Sequence, residues 1–138
     1  MDLARCLISR GFKGMHAHQI LFVEDDFTLS LSSCEFMRDQ GMRVIEAESA
    51  ALAACVIDKH GYLSGLVSDI DLGPGDNGFD VARRARKAYP GIPVVFVSGA
   101  AASRHLAEGV EGSVFIHKPY HPRQVIEALS ILSRPQAA

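Results

Sequence analysis

Glu24-Asp25-Asp26 follows the apolar run Ile20-Leu21-Phe22-Val23, and Asp69, Ser98 and Lys118 each stand at the end of another short apolar stretch. Carboxylates gathered in a partly dry crevice repel one another, and a hard divalent cation relieves that repulsion; oxygen ligands with room left for water suit Mg²⁺. A lysine ammonium and a hydroxyl facing such a cation suit phosphoryl oxygens. Within this set an ionised Asp69 is a nucleophile able to attack phosphorus in line, while the cation and Lys118 neutralise the equatorial oxygens. The chemistry is formation of an acyl phosphate. A polar residue at a strand end can simply mark where the strand stops, but that accounts poorly for a set in which four of five strand ends carry such groups.

The elements that must position these residues alternate regularly. Residues 20–23 read as a strand, and a helical stretch from Thr28 to about Gln40 is stopped by Gly41. Residues 42–47 read as a second strand, and Ser49 as the N-cap of an alanine-rich helix ending near His60 and Gly61. Leu66 and Val67 lead to Asp69, a glycine-rich loop follows, and Phe79, Ala82, Ala85 and Tyr89 share one face of a helix closed by Pro90-Gly91. Residues 93–98 are an apolar run that reads as a fully buried strand, followed by a weak helix around 103–108 and a fifth strand over 114–117. The last helix carries Val125, Ile126, Leu129 and Leu132 on one face. Strands alternating with helices demand parallel pairing and right-handed crossovers, so the fold class is α/β, a doubly wound five-stranded parallel sheet with helices on both faces. Ligand sites in such sheets lie at the carboxyl ends of the strands, where the acids, serine and lysine fall.

Composition adds limits. A chain of 138 residues with 48% apolar and 22% charged content is ordinary for one globular domain. Residues 1–18 lack periodicity and read as an N-terminal extension, 19–134 as the domain, and 135–138 as a loose tail with no residues left for an effector domain. No apolar run is long enough to cross a bilayer and the N-terminus shows no signal region, so a cytoplasmic setting without membrane contact is expected. The net charge of −2 argues against direct binding of nucleic acid, and the cluster Arg83, Arg84, Arg86 and Lys87 reads as a solvated helix face. Cys6, Cys34 and Cys55 form no metal motif; Cys34 and Cys55 read as small buried thiols. His16 and His18 read as a chance pair in the extension, and His117 as facing away from the phosphoryl pocket. Phe36, Met37 and Leu129 are core candidates.

Val23-Glu24-Asp25-Asp26, Val67-Ser68-Asp69, Val97-Ser98-Gly99 and Ile116-His117-Lys118-Pro119 together resemble the signature blocks of the CheY-like receiver domains of response regulators, over about residues 19–133. The resemblance implies a flavodoxin-like (βα)₅ fold with strand order 2-1-3-4-5, and a single-domain regulator of two-component signalling. It implies that Asp69 is the phosphoacceptor, that Glu24, Asp25, Asp69 and the backbone carbonyl of Asp71 hold Mg²⁺, and that Ser98 and Lys118 contact the phosphoryl oxygens. Gly99 and Ala100 keep that site open, and Lys118-Pro119 is a cis peptide. Ser98 and Phe115 take the switch positions. The phosphoryl donor is a sensor histidine kinase or a phosphotransfer protein, and the output is a downstream protein, or a homodimer, at the face of the fourth helix, fifth strand and last helix. Such a chain is a phosphoacceptor that catalyses its own transfer and slow hydrolysis, not a multiple-turnover enzyme.

Four positions depart from the commonest pattern. The loop over residues 73–78 is one residue longer, Ser98 replaces a threonine, Phe115 lacks a hydroxyl, and the stretch from Ser98 to Lys118 is slightly short. Two rivals remain. Asp69-Ile70-Asp71 mimics the nucleophile and general acid of haloacid dehalogenase-type phosphatases, although that family's metal acids follow its lysine, and here only Glu127 does. A pseudo-receiver that binds partners without phosphorylation would normally lack the acceptor, the acids or the lysine, and none is lacking.

Overall fold

Strand β1 (Gln19–Val23) is apolar on both faces, and Ile20, Leu21, Phe22 and Val23 have no exposed surface. Only a central strand of a helix-clad parallel sheet receives cover on both sides. The computed structural model describes residues 18–99 and 102–134, and in it β3 (Gly65–Asp69) and β4 (Val94–Ser98) are likewise buried along their whole length. The outer strands β2 (Arg43–Ala47) and β5 (Val114–His117) keep Arg43, Glu46 and His117 exposed. Charged edge residues such as Arg43 and Glu46 on β2 discourage pairing with foreign strands. All pairings are parallel and the order is β2-β1-β3-β4-β5, as the resemblance implied.

Five helices lie among the described residues: α1 (Phe27–Asp39), α2 (Ala50–Lys59), α3 (Gly78–Ala88), α4 (Ala102–Glu108) and α5 (Pro122–Leu132). Four of their starts are chemically set. Asp26 and Ser49 each accept a backbone N–H of the first turn, and Asn77 with Asp80 and His121 with Gln124 form reciprocal capping boxes. The strand period of two divides the interior into two cores. Ile20, Phe22, Val67, Val95 and Val97 face Met37 of α1 and Ile126 and Leu129 of α5. Leu21, Val23, Leu66, Val94 and Phe96 face Ile57 of α2 and Phe79 and Ala82 of α3. No helix among the described residues is long and apolar enough to cross a membrane.

Two readings of the sequence change. Cys55 is exposed, not buried, because α2 turns Ala53 and Ile57 inward and a residue midway between them points outward. His18 is buried and its carbonyl accepts Arg43 N–H at 3.3 Å, which carries the β1–β2 ladder back by one residue. Residues 1–17 and 135–138, including Cys6 and His16, lie outside the described residues, as does Ala100. Cys34, Met37 and Leu129 are buried as expected, and half-buried Phe36 packs edge-on against His121 at 5.1 Å. Within the basic cluster Arg83 pairs with Asp80 and Arg84 with Asp58, and Arg86 donates to the Ile92 carbonyl.

Candidate functional site

The carboxyl ends of β1, β3, β4 and β5 bring the predicted residues to one edge of the sheet. Glu24 continues β1 by donating its N–H to the Ala47 carbonyl at 3.1 Å, which turns its side chain into the fold at 2% exposure. Asp69 ends β3 at 6% exposure. Lys118, after β5, reaches between them, with Nζ 2.9 Å from Glu24 Oε2 and 2.9 Å from Asp69 Oδ2. Asp25 is exposed, and one oxygen from each of Glu24, Asp25 and Asp69 lies within 4.8 Å of the others. Asp69 Oδ1 accepts the backbone N–H of Asp71 at 3.3 Å. The third acid of the run, Asp26, caps α1 instead by accepting from Leu29 N–H at 3.2 Å, and its own N–H goes to Glu24 Oε1.

Burial raises the Glu24 carboxyl to about 7, Lys118 opposes that rise and the Asp69 charge adds to it. Burial disfavours charge on Lys118, but its bonds to Glu24 and Asp69 prevail and hold its pKa above the ordinary lysine value. One ammonium faces three carboxyl groups, so the cluster is short of positive charge. An all-oxygen donor set with that deficit fits a hard divalent cation such as Mg²⁺.

Ser98 closes β4 at 1% exposure and lies in register with His117, and its carbonyl accepts the N–H of Lys118 at 2.8 Å. The Lys118-Pro119 peptide is cis. Gly99 is exposed with open space where a Cβ would stand. On the acceptor's other side α3 starts hard against the backbone: Gly78 donates to the Ile70 carbonyl at 2.8 Å, and a Cβ there would collide with the Asp69 carbonyl oxygen. The loop between them turns through Gly73 and Gly75, whose φ values of 85° and 95° are left-handed.

Phe115, at the expected switch position, is half-buried, with its ring 5.7 Å from that of His105 and 6.0 Å from that of His117. Through His105 it joins Phe96 at 5.6 Å, and Phe96 meets Phe79 at 5.0 Å, so an aromatic ladder runs from α3 across β4 to β5. His105 is fixed in this ladder by Ser113 Oγ at 2.9 Å, and burial lowers its pKa. His117 is exposed against Phe115. The Asp71 side chain stays out of the oxygen cluster and pairs with Arg104 of α4 at 3.2 Å. Sequence reasoning missed Arg104, which lies in a stretch without periodicity, and the bond between Tyr120 Oη and Ser33 Oγ at 3.1 Å, whose partners are far apart in the chain. Glu127, the one acid after Lys118, is exposed on α5 and outside the cluster, which removes the arrangement a dehalogenase-type phosphatase needs.

Comparison with known proteins agrees with this geometry. Residues 20–130 match the family model of the response regulator receiver domain. The crystal structure of a response regulator receiver protein from Sinorhizobium medicae WSM419 is 33% identical, with a TM-score of 0.82 over 86% of this chain and 96% of that one. A CheY-like response regulator receiver domain protein from Methanospirillum hungatei JF-1 is 26% identical, with a TM-score of 0.73 over 84% and 93% of the two chains. A transcriptional regulatory protein of Bacillus subtilis, YbdJ, is 29% identical over 113 residues, 81% of this chain but 49% of that protein. The chain spans about half the length of the curated relatives it matches. With the fold, the strand-end residues and the family match in agreement along the same stretch, the chain belongs to the response regulator receiver domains.

Proposed function

We propose that this receiver acts in two-component signalling by accepting a phosphoryl group on Asp69 from the phosphohistidine of a sensor histidine kinase or phosphotransfer protein. The observation that carries the reading is Lys118 set 2.9 Å from both Glu24 and Asp69, with an Asp25 oxygen in the same cluster. A carboxylate oxygen of Asp69 attacks phosphorus, the phosphorus–nitrogen bond breaks, and the departing imidazole takes up a proton. Lys118 holds the acceptor and compensates charge on the phosphoryl oxygens, and Ser98 stands at the neighbouring strand end to bond one of them. Glu24, Asp25 and Asp69, with the Asp71 carbonyl, would hold Mg²⁺, which offsets the negative charge gathered there. The chain is then a phosphoacceptor with slow self-hydrolysis and no multiple turnover, working in the cytoplasm where the kinases draw on ATP. Its output is a changed affinity of the α4–β5–α5 face for a downstream protein or a second copy, biased by phosphorylation through Ser98 and Phe115.

Intact-mass measurement with a small phosphodonor tests the assignment. One added phosphoryl group is expected with Mg²⁺, none with EDTA, and none on Asp69→Asn. Equal labelling of that variant, or labelling indifferent to EDTA, refutes it.

A further inference from the structure

Arg104 connects α4 to the loop that carries the acceptor. Its Nη1 lies 3.2 Å from Asp71 Oδ1, its Nε 3.4 Å from Glu108 Oε2, and its guanidinium carbon 5.5 Å from the centre of the Phe79 ring. Asp71 in turn donates its backbone N–H to Asp69 Oδ1. The acceptor carboxylate and the Arg104 guanidinium are therefore two hydrogen bonds apart.

Three features make the contact with Asp71 exchangeable. The Arg104 and Asp71 side chains are 41% and 65% exposed, and ion pairs in such surroundings hold weakly. The contact is a single Nη1 bond to one carboxylate oxygen, not a two-point fork. The ring beneath the guanidinium belongs to Phe79, which is fully buried and fixed, so the cation can swing over it from one anion to another without losing that contact. A phosphoryl group on Asp69 would offer three acceptor oxygens and nearly two negative charges, a stronger partner for a guanidinium than one carboxylate. The helix that would follow Arg104 is short, seven residues, and its far end is tied to α3 by an exposed bond from Arg83 Nη1 to the Glu108 carbonyl at 3.3 Å.

We infer that Arg104 is a second phosphoryl-binding cation beside Lys118: when Asp69 is phosphorylated, Arg104 leaves Asp71 for the phosphoryl oxygens and draws α4 toward the site. The inference rests on Asp69 being the acceptor. It supplies an output route through α4 that needs no hydroxyl at Phe115.

The test is NMR of the full chain titrated with beryllofluoride in Mg²⁺, following the Arg104 Nε–H and the amides of residues 104–109. In the wild type both are expected to shift on saturation. Arg104→Ala is expected to weaken beryllofluoride binding about tenfold, the loss of one charge-assisted hydrogen bond, and to abolish the α4 shifts while amides next to Asp69 still respond. Arg104→Lys should recover part of the affinity, and Asp71→Asn, which releases the guanidinium, should strengthen binding. An Arg104 Nε–H unmoved at saturation, or Arg104→Ala binding as tightly as wild type with its α4 shifts intact, overturns the inference. No beryllofluoride-dependent shift near Asp69 in the wild type overturns the acceptor assignment and this inference with it.

Discussion

Among the described residues Lys118 carries the one positive charge paired with Glu24 and Asp69, and its removal separates two roles. Without it Glu24, whose side chain has no exposed surface, and Asp69 face each other uncompensated. Lys118→Ala is therefore expected to keep Mg²⁺ binding and tighten it severalfold, while apo stability falls by about 1–3 kcal/mol, the penalty for a buried polar group left without its partner. Titration calorimetry and urea unfolding measure the two effects. Phosphorylation of the variant should change partner binding less than in the wild type, because only the Arg104 contact is left to answer the phosphoryl group. Asp25→Ala has the opposite signature, loss of Mg²⁺ binding with little loss of stability, because Asp25 is exposed. The thiols offer a separate check in a Cys6→Ser background. Burial, with help from the Glu46 charge, pushes the Cys34 thiol up to about 12, whereas Cys55 is exposed. Iodoacetamide near pH 8 should alkylate Cys55 alone, and Cys34 only after unfolding. The site was legible in the sequence wherever a residue sits at a strand end, since chain order then dictates its place: Glu24, Asp25, Asp69, Ser98 and Lys118 all follow that rule. It was not legible for Arg104, whose partner Asp71 is set by the path of α4, or for Asp26, whose capping role is hidden inside an acidic run.

Helix α3 is positioned by the absence of a side chain. Gly78 lets its first turn rest on the backbone of Asp69, and no rearrangement of side chains alone could make room for a Cβ that meets a carbonyl oxygen head-on. Gly78→Ala is expected to lower stability by about 2–3 kcal/mol, within the overpacking range, and to slow phosphorylation, because the strain falls on the acceptor itself. Urea unfolding and the labelling rate check both. Helix α4 is the opposite case. It is tied to α3 and to the acceptor loop through exposed arginine contacts from Arg83 and Arg104. Its backbone amides should exchange with deuterium faster than those of α3, whose Phe79, Val81, Ala82 and Ala85 are buried. The same contrast decides which helices the sequence reveals. Capped, periodic helices such as α2 and α3 announce themselves, whereas α4, at seven residues, is too short to carry a long apolar stripe. For α5 the cap is His121, a residue type that does not ordinarily signal a helix start.

The described residues form one parallel sheet between two cores, and the alternation of strands and helices was enough to derive the fold class. Strand order came from the family resemblance, because period-two burial shows which strands are central but not which neighbours they take. The acid cluster couples global stability to the cation. At ten times its dissociation constant a ligand bound only by the native state adds about 1.4 kcal/mol, about 5 °C in melting temperature for a chain of this size. Mg²⁺ should raise the melting temperature by that amount, EDTA should cancel the rise, and Asp25→Ala should abolish it. The exposed loop through Gly73, Pro74, Gly75 and Asp76 lends itself to engineering. Its two glycines have no neighbouring atoms within 4 Å of an added Cβ, yet the loop runs from the acceptor to the start of α3. A short peptide tag or fluorophore inserted between Gly75 and Asp76 would leave both cores intact and sit beside the reacting centre, turning the receiver into a reporter of its own phosphorylation.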